Sequence, residues 1–125
     1  MVTSEGRLRP LDFEGACPIG QPDPVLWSTP AFTPPNECAE SISRSSLSDD
    51  LYSLGTVIYF LLTGKLSETA EPVPIEKLRR NVPSDMRDTV SELLMVVPHQ
   101  RPSAKIVIER LNQALKNYQR SKPHI

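Results

Sequence analysis

The chain has little of several residue types, and each shortage argues against a class of function. Only two of its 125 residues are cysteines, Cys17 and Cys38, which form neither a disulfide framework nor a recognisable metal-site spacing. Aromatic residues make up 6% of the sequence, so stacking platforms for nucleic-acid bases are not expected. The net charge of −1 gives no reason to expect nucleic acid or an anionic membrane as a partner.

Long apolar runs are also absent. The longest, residues 54–62, is far shorter than the roughly 20 residues that span a membrane. The sequence begins with no secretory signal, so we expect a reduced, cytoplasmic protein.

Proline, by contrast, is abundant and concentrated in one segment. Six of the 13 prolines fall within residues 18–35. Proline fixes φ and lacks a backbone N–H, so this segment cannot be helix or central strand. We predict one long loop over residues 12–36, preceded by a short β-hairpin over residues 1–11 that turns at residues 4–6.

The second half of the chain is predicted to be helical. Ser48 is a candidate N-cap and Gly64 a candidate stop for a helix that is apolar around nearly its whole circumference, which predicts a central helix buried on most sides. A short helix is expected over 74–81. Ser84 and Ser103 are candidate caps for two further helices. Their predicted apolar faces are Met86, Val90, Leu93, Leu94 and Val97 in the first, and Ala104, Val107, Ile108, Leu111, Leu115 and Tyr118 in the second.

Four segments, in this order, carry a family resemblance. Residues 11–14 (Leu-Asp-Phe-Glu) resemble the Asp-Phe-Gly motif of protein kinases. Residues 28–35 (Ser-Thr-Pro-Ala-Phe-Thr-Pro-Pro) are similar to the Gly-Thr-Pro-x-Tyr-x-Ala-Pro-Glu run that ends their activation segment. Residues 50–55 (Asp-Leu-Tyr-Ser-Leu-Gly) resemble the start of their central helix, and residues 98–103 (Pro-His-Gln-Arg-Pro-Ser) the turn before their final helix. Together the segments resemble the C-terminal lobe of a Ser/Thr-type protein kinase.

The resemblance implies a mainly α fold. It would be the helical C-lobe of the kinase fold, with a short N-terminal β-hairpin and a long activation-segment-like loop. The lobe would cover residues 1–118, with its helical core over 48–118, and residues 119–125 would be a frayed tail.

The resemblance also implies roles near the phosphates. Asp12 would bind Mg²⁺ against the phosphates of ATP, because a carboxylate suits this hard cation. Taken alone, Asp12 is better explained as a loop aspartate that bonds its own backbone. Thr29 would form part of the platform for the protein or peptide substrate.

Two further roles are structural. Asp50 would accept backbone N–H groups from a catalytic loop that this sequence does not contain; the alternative is an exposed acid at a helix start, with Asp49 as its exposed neighbour. Arg101 would pair with a carboxylate at the end of the activation segment. Asn36 stands where that glutamate is expected, so Glu37 takes the role or the ion pair is reduced to a hydrogen bond. The alternative for Arg101 is a surface arginine in a turn.

Several kinase parts are missing from the sequence: the Gly-rich loop, the strand lysine with its glutamate partner, and the catalytic-loop aspartate. The resemblance therefore implies the C-terminal part of an ATP-dependent kinase that is inactive by itself, with no tight binding of ATP or Mg²⁺ by this chain. Its partners would be a protein or peptide substrate and the missing N-terminal lobe. Self-association is also expected, through apolar surface on the central helix and residues 1–14.

Two alternatives remain open. The chain could be a non-catalytic kinase remnant that binds other proteins. Glu14, in place of the glycine that follows Asp-Phe in most kinases, also resembles the kinase part of some bacterial lanthipeptide synthetases, and this would make the substrate a Ser/Thr-rich precursor peptide.

Overall fold

The computed structural model describes residues 1–13, 16–21, 30–35, 46–66 and 71–122, and over these residues the protein is mainly helical, as predicted. It has four α-helices: α1 (Leu47–Thr63), α2 (Ile75–Leu78), α3 (Ser84–Leu93) and α4 (Ala104–Ser121). Short 3₁₀ turns lie at Pro30–Phe32 and Pro98–Gln100. None of the helices in the described ranges combines the length and apolarity needed to cross a bilayer.

The N-cap of helix α1 lies two residues before the predicted cap, and the helix ends where predicted. Ser46 is the N-cap, and its Oγ accepts a hydrogen bond from the Ser48 backbone N–H at 3.1 Å. Ser48 therefore lies in the first turn, where its hydroxyl donates instead to the Pro98 carbonyl at 3.1 Å. Gly64 ends the helix with φ +71°, and its N–H bonds the Phe60 carbonyl at 2.7 Å. A left-handed φ of this kind favours glycine, which explains the stop.

Helix α1 is central, in contact with α2, α3 and both 3₁₀ turns. Its approach to α3 depends on Gly55. A Cβ atom added there would lie 2.7 Å from the Leu93 Cβ and 3.2 Å from the Leu94 Cδ2, closer than packed carbon atoms come. The absence of a side chain at this position therefore sets the separation of the two helices.

The core lies between α1, α2 and α3 and extends to one face of α4. Buried apolar side chains are Tyr52, Tyr59, Ile75, Val82, Val90, Leu93, Leu94, Val107 and Ala114. The face predicted for α3 is confirmed at Val90, Leu93 and Leu94. The predicted cap at Ser84 is wrong. Helix α3 starts at Ser84 itself, after Pro83, and the Pro83 carbonyl accepts the N–H of residues 86 and 87.

In α4 the cap is confirmed, while the predicted apolar stripe is only partly right. The Ser103 Oγ accepts the Ile106 N–H at 3.4 Å. The buried line runs along Val107 and Ala114, whereas Ile108 is 60% exposed. Because α4 packs mainly on α3, only a narrow stripe is covered. The helix continues to Ser121, into the segment predicted to be a tail.

Residues 1–13 form a tight turn with little pairing. The Gly6 N–H bonds the Thr3 carbonyl at 2.9 Å, and Gly6 has φ +75°, so the turn lies where predicted. Val2 and Leu8 form a single antiparallel bridge. Within the described residues this pairing is shorter than a hairpin of two strands.

Candidate functional site

Three of the residues singled out from the sequence, Asp12, Asp50 and Arg101, lie in described parts of the chain. Thr29 and Glu37 lie outside the described residues. Arg101 and the start of α1 are brought together, whereas Asp12 makes no described hydrogen bond or ion pair with either.

Arg101 joins the turn before α4 to the first turn of α1. Its side chain is fully buried. Nε donates to the Met95 carbonyl at 2.9 Å, Nη2 to the Val96 carbonyl at 3.2 Å, and Nη1 to the Ser48 carbonyl at 2.9 Å. The planar guanidinium presents donors in several directions, so one side chain can bond carbonyls on both sides of the junction. The interpretation of Arg101 as a surface arginine in a turn is therefore wrong.

An acid and an aromatic ring also lie close to Arg101. Its Nη1 lies 3.8 Å from the Asp49 Oδ1, and its guanidinium stands 5.0 Å from the centre of the Tyr52 ring. Burial raises the pKa of Tyr52 above its ordinary value, and the positive charge of Arg101 opposes this shift. Asp49 was expected to be an exposed neighbour of Asp50. That expectation is wrong, because the Asp49 side chain is 29% exposed and faces the arginine.

A second bond brings another singled-out segment to α1. The Ser53 hydroxyl donates to the Phe32 carbonyl at 2.8 Å, so the 3₁₀ turn at Pro30–Phe32 is held against the helix. Three of the four segments that carry the family resemblance therefore meet at α1: residues 30–35 through Ser53, residues 50–55 within the helix, and residues 98–103 through Arg101.

Asp50 lies in the first turn of α1 on the side away from the core. It is exposed and makes no described hydrogen bond. At helical spacing it shares a stripe with Leu54, Val57 and Leu61, which are 39%, 42% and 71% exposed. We call this stripe, together with Leu47, the outer face of α1. The prediction that α1 is buried on most sides is therefore wrong for the described residues.

Asp12 is the only non-glycine residue with positive φ among the described residues, at +61°. Aspartate tolerates this region better than most residues, but the conformation is uncommon and concentrates at functional sites. No group of three or more potential metal ligands is found in the described ranges. Mg²⁺ is commonly held by one or two carboxylates together with substrate phosphates. Asp12 thus fits one ligand of a composite site and does not by itself make a magnesium site.

A groove of about 710 Å³ opens elsewhere, and sequence reasoning missed it. Its lining comes from α2, α3, Tyr59 of α1, the 71–74 segment and the turn before α4, and includes none of Asp12, Asp50 and Arg101. The Tyr59 hydroxyl donates to the Val73 carbonyl at 2.9 Å, which holds the Pro-Val-Pro segment as one wall. Those two prolines were the available signal, because they predict an extended segment that α1 could hold in place.

No known family model, curated protein or solved structure matches this chain.

Proposed function

We propose that this chain is the C-terminal part of a Ser/Thr-type protein kinase, which transfers phosphate from ATP to protein or peptide Ser/Thr only when the rest of the domain is present. The observation that carries the proposal is the convergence at α1. Segments far apart in sequence, each chosen for its resemblance to a kinase motif, are joined by the Ser53–Phe32 and Arg101–Ser48 bonds. This arrangement, with two kinase-like segments packed on the helix that contains a third, agrees with the resemblance and supports the proposal.

The outer face of α1 supports the proposal that a further segment of a kinase domain packs on this chain. Apolar side chains in a stripe are normally covered, and a carboxylate among them needs donors once it is covered. Asp50 lies within this stripe beside Leu54. A covering segment with backbone N–H groups near Asp50 would meet both needs, which is the role that the resemblance assigns to the missing catalytic loop.

Asp12 would act at the metal in the complete enzyme. Mg²⁺ there would neutralise charge on the phosphates during transfer. The part played by this chain is to hold one carboxylate oxygen in place, and the positive φ of Asp12 agrees with a position fixed for function. Thr29 would belong to the substrate platform. The proposal places the protein in the cytoplasm, where ATP and Mg²⁺ are available.

The test is phosphoryl transfer by the extended protein. The open reading frame upstream of the Met1 codon would be sequenced, and its full product assayed with labelled ATP, Mg²⁺ and a mixed protein substrate. Asp12→Asn should reduce the rate at least about 100-fold, because the metal loses a charged ligand. The matched control is Glu109→Gln, an exposed acid on α4, which should leave the rate unchanged.

Two results would contradict the proposal: a stop codon directly upstream, or an Asp12→Asn protein as active as the parent. Either would favour the second candidate, a non-catalytic module that binds other proteins. The specific observation in favour of that candidate is the groove between α2 and α3, which is built without any of the kinase-like residues.

A further inference from the structure

The groove between α2 and α3 has an apolar floor and a charged rim. Ile75, Val90 and Leu94 lie on its floor, and each is at most 8% exposed. Its volume of about 710 Å³ lies within the range of ordinary ligand pockets. We call it the α2–α3 groove. It is large enough for one or two aliphatic side chains with a stretch of backbone.

The rim charges decide which ligand fits. Three carboxylates, from Glu71, Glu76 and Asp88, lie along the groove with a single guanidinium, from Arg87. Arg87 is already paired with Glu76 at 3.9 Å. Phosphates, nucleotides and fatty acids would meet this excess of negative charge and be disfavoured. A segment that combines apolar side chains with arginine or lysine is complementary to the site.

Arg87 also favours a peptide over a small amine. Its Nε is buried and has no hydrogen-bond partner among the described residues. Buried donors are usually paired, and a small rotation of the side chain would present this one to a backbone carbonyl of a bound peptide.

A segment of this chemistry is present in the chain itself. Residues 7–11 read Arg-Leu-Arg-Pro-Leu, and Leu8 and Leu11 are 79% and 65% exposed. In the described parts of the chain, no hydrogen bond or ion pair joins these residues to the helices. The Arg7–Glu5 pair, at 3.8 Å, has both side chains at least 75% exposed, so it restrains the arginine weakly. We call residues 7–11 the arm.

We propose that the arm of one copy of this chain binds in the α2–α3 groove of a second copy. Pro10 favours an extended, polyproline-like backbone with three residues per turn. Binding in this form replaces the antiparallel bridge between Leu8 and Val2. Leu8 and Leu11, three residues apart, then point to the same side and enter the groove together, while Arg7 and Arg9 meet the acidic rim. The pairing concerns the chain by itself and uses none of the residues assigned to phosphoryl transfer, so it stands or falls separately from the proposed function.

The first test is binding of the arm as a peptide. A fluorescein-labelled peptide of residues 6–11 would be titrated, by fluorescence anisotropy, with the full chain carrying Leu8→Ser and Leu11→Ser, so that the groove is not occupied by its own arms. We expect saturable binding that weakens as salt is raised. The double change Glu76→Lys and Asp88→Lys should weaken binding at least tenfold. Glu109→Lys, of the same charge change on α4, is the control and should have no effect.

Charge exchange separates a specific contact from a damaged fold. A peptide with Arg7→Glu and Arg9→Glu should fail to bind the original groove and should recover binding to the Glu76→Lys, Asp88→Lys chain. Failure of the original peptide to bind at millimolar concentration would overturn the proposal. The proposal would also be overturned if the original peptide bound equally well to the original groove and to the groove with Glu76→Lys and Asp88→Lys.

The second test is the oligomeric state of the unaltered chain by sedimentation equilibrium. We expect dimers that dissociate when Leu8→Ser and Leu11→Ser are introduced. A monomer at high concentration would contradict the pairing. Dimers that survive these changes but are lost with Leu54→Ser and Leu61→Ser would assign the contact to the outer face of α1 and overturn the arm as its source.

Discussion

Arg101→Ala is expected to be among the most destabilising single changes in this protein. The arginine is fully buried and donates to three backbone carbonyls, those of Ser48, Met95 and Val96. These carbonyls belong to two segments that are otherwise far apart in the chain. Removing the guanidinium takes these donors away and also removes the cation that lies 3.8 Å from the Asp49 Oδ1.

The magnitude follows from the number of carbonyls that lose a charged donor. Each such loss costs about 1–3 kcal/mol. Water can enter the space left by the side chain and restore part of this, so the sum is not additive. A loss of about 3–5 kcal/mol is expected, as for the removal of one partner from a buried charge network. Small domains have free energies of unfolding near the low end of about 5–15 kcal/mol, so the change would remove much of the stability.

Urea denaturation followed by far-UV circular dichroism measures the effect. With an m-value of about 1.5 kcal/mol per molar urea, the midpoint should fall by about 2–3 M. Arg101→Lys should cost less, about 1–3 kcal/mol, since an ammonium keeps the charge but cannot direct donors to all three carbonyls. Arg120→Ala, at an exposed site on α4, should shift stability by less than about 0.5 kcal/mol. A loss below about 1 kcal/mol for Arg101→Ala would refute the view that Arg101 holds the junction.

Three other predictions concern different parts of the molecule. Burial raises the pKa of Tyr59 and Tyr52, so their contribution to stability should be constant below about pH 10 and fall as the pH rises through the folded pKa values. Tyr59→Phe should cost about 1 kcal/mol at neutral pH through the lost bond to the 71–74 segment, and should make the alkaline loss shallower. Gly55→Ala should destabilise by about 1–3 kcal/mol despite better helix propensity, because the new methyl would meet Leu93 at 2.7 Å. Isothermal titration with ATP and Mg²⁺ should detect no tight binding to this chain.

Each of these has a clear opposing outcome. An unfolding free energy that stays flat to pH 11 or so would contradict the role assigned to the tyrosines. A more stable Gly55→Ala protein would mean that α1 and α3 separate without cost. Micromolar binding of ATP would show a nucleotide site that one carboxylate cannot supply, and Asp12→Asn would then test whether that site includes the carboxylate.

The residue types at helix ends correctly predicted where α1 ends and which residue caps α4. Gly64 ended α1 because a left-handed residue is needed there, and Ser103 capped α4 because its side chain can reach a free N–H. Ser48 and Ser84 carry the same chemistry but are not caps. In α1 the cap is Ser46, two residues before Ser48, and in α3 it is Pro83, one residue before Ser84. Residue type alone does not tell which of two such neighbours is the cap.

The contacts of the site depended on tertiary packing, which the sequence does not encode locally. Among the described residues, the acid paired with Arg101 is Asp49 at 3.8 Å, separated from it by 52 positions in the numbering. No spacing rule selects Asp49 over Asp50, because adjacent helix positions differ by about 100° and the packed side decides which one turns inward. The likeness to kinase segments could indicate that residues 98–103 lie close to α1. It could not predict which backbone carbonyl each nitrogen of Arg101 bonds.

The outer face of α1 shows why an apolar circumference is ambiguous. A helix that is apolar all round predicts burial on every side, yet the pattern does not say what covers each side. In the described residues one side packs on α2 and α3, whereas Leu61 on the other side is 71% exposed. Exposure of such an apolar stripe to water is unfavourable. Burying it in an interface is also unfavourable, because Asp50 would be buried too, unless the covering segment supplies hydrogen-bond donors to its carboxylate. Under the proposed function, a segment with free N–H groups covers this stripe, which would account for the apolar composition of α1.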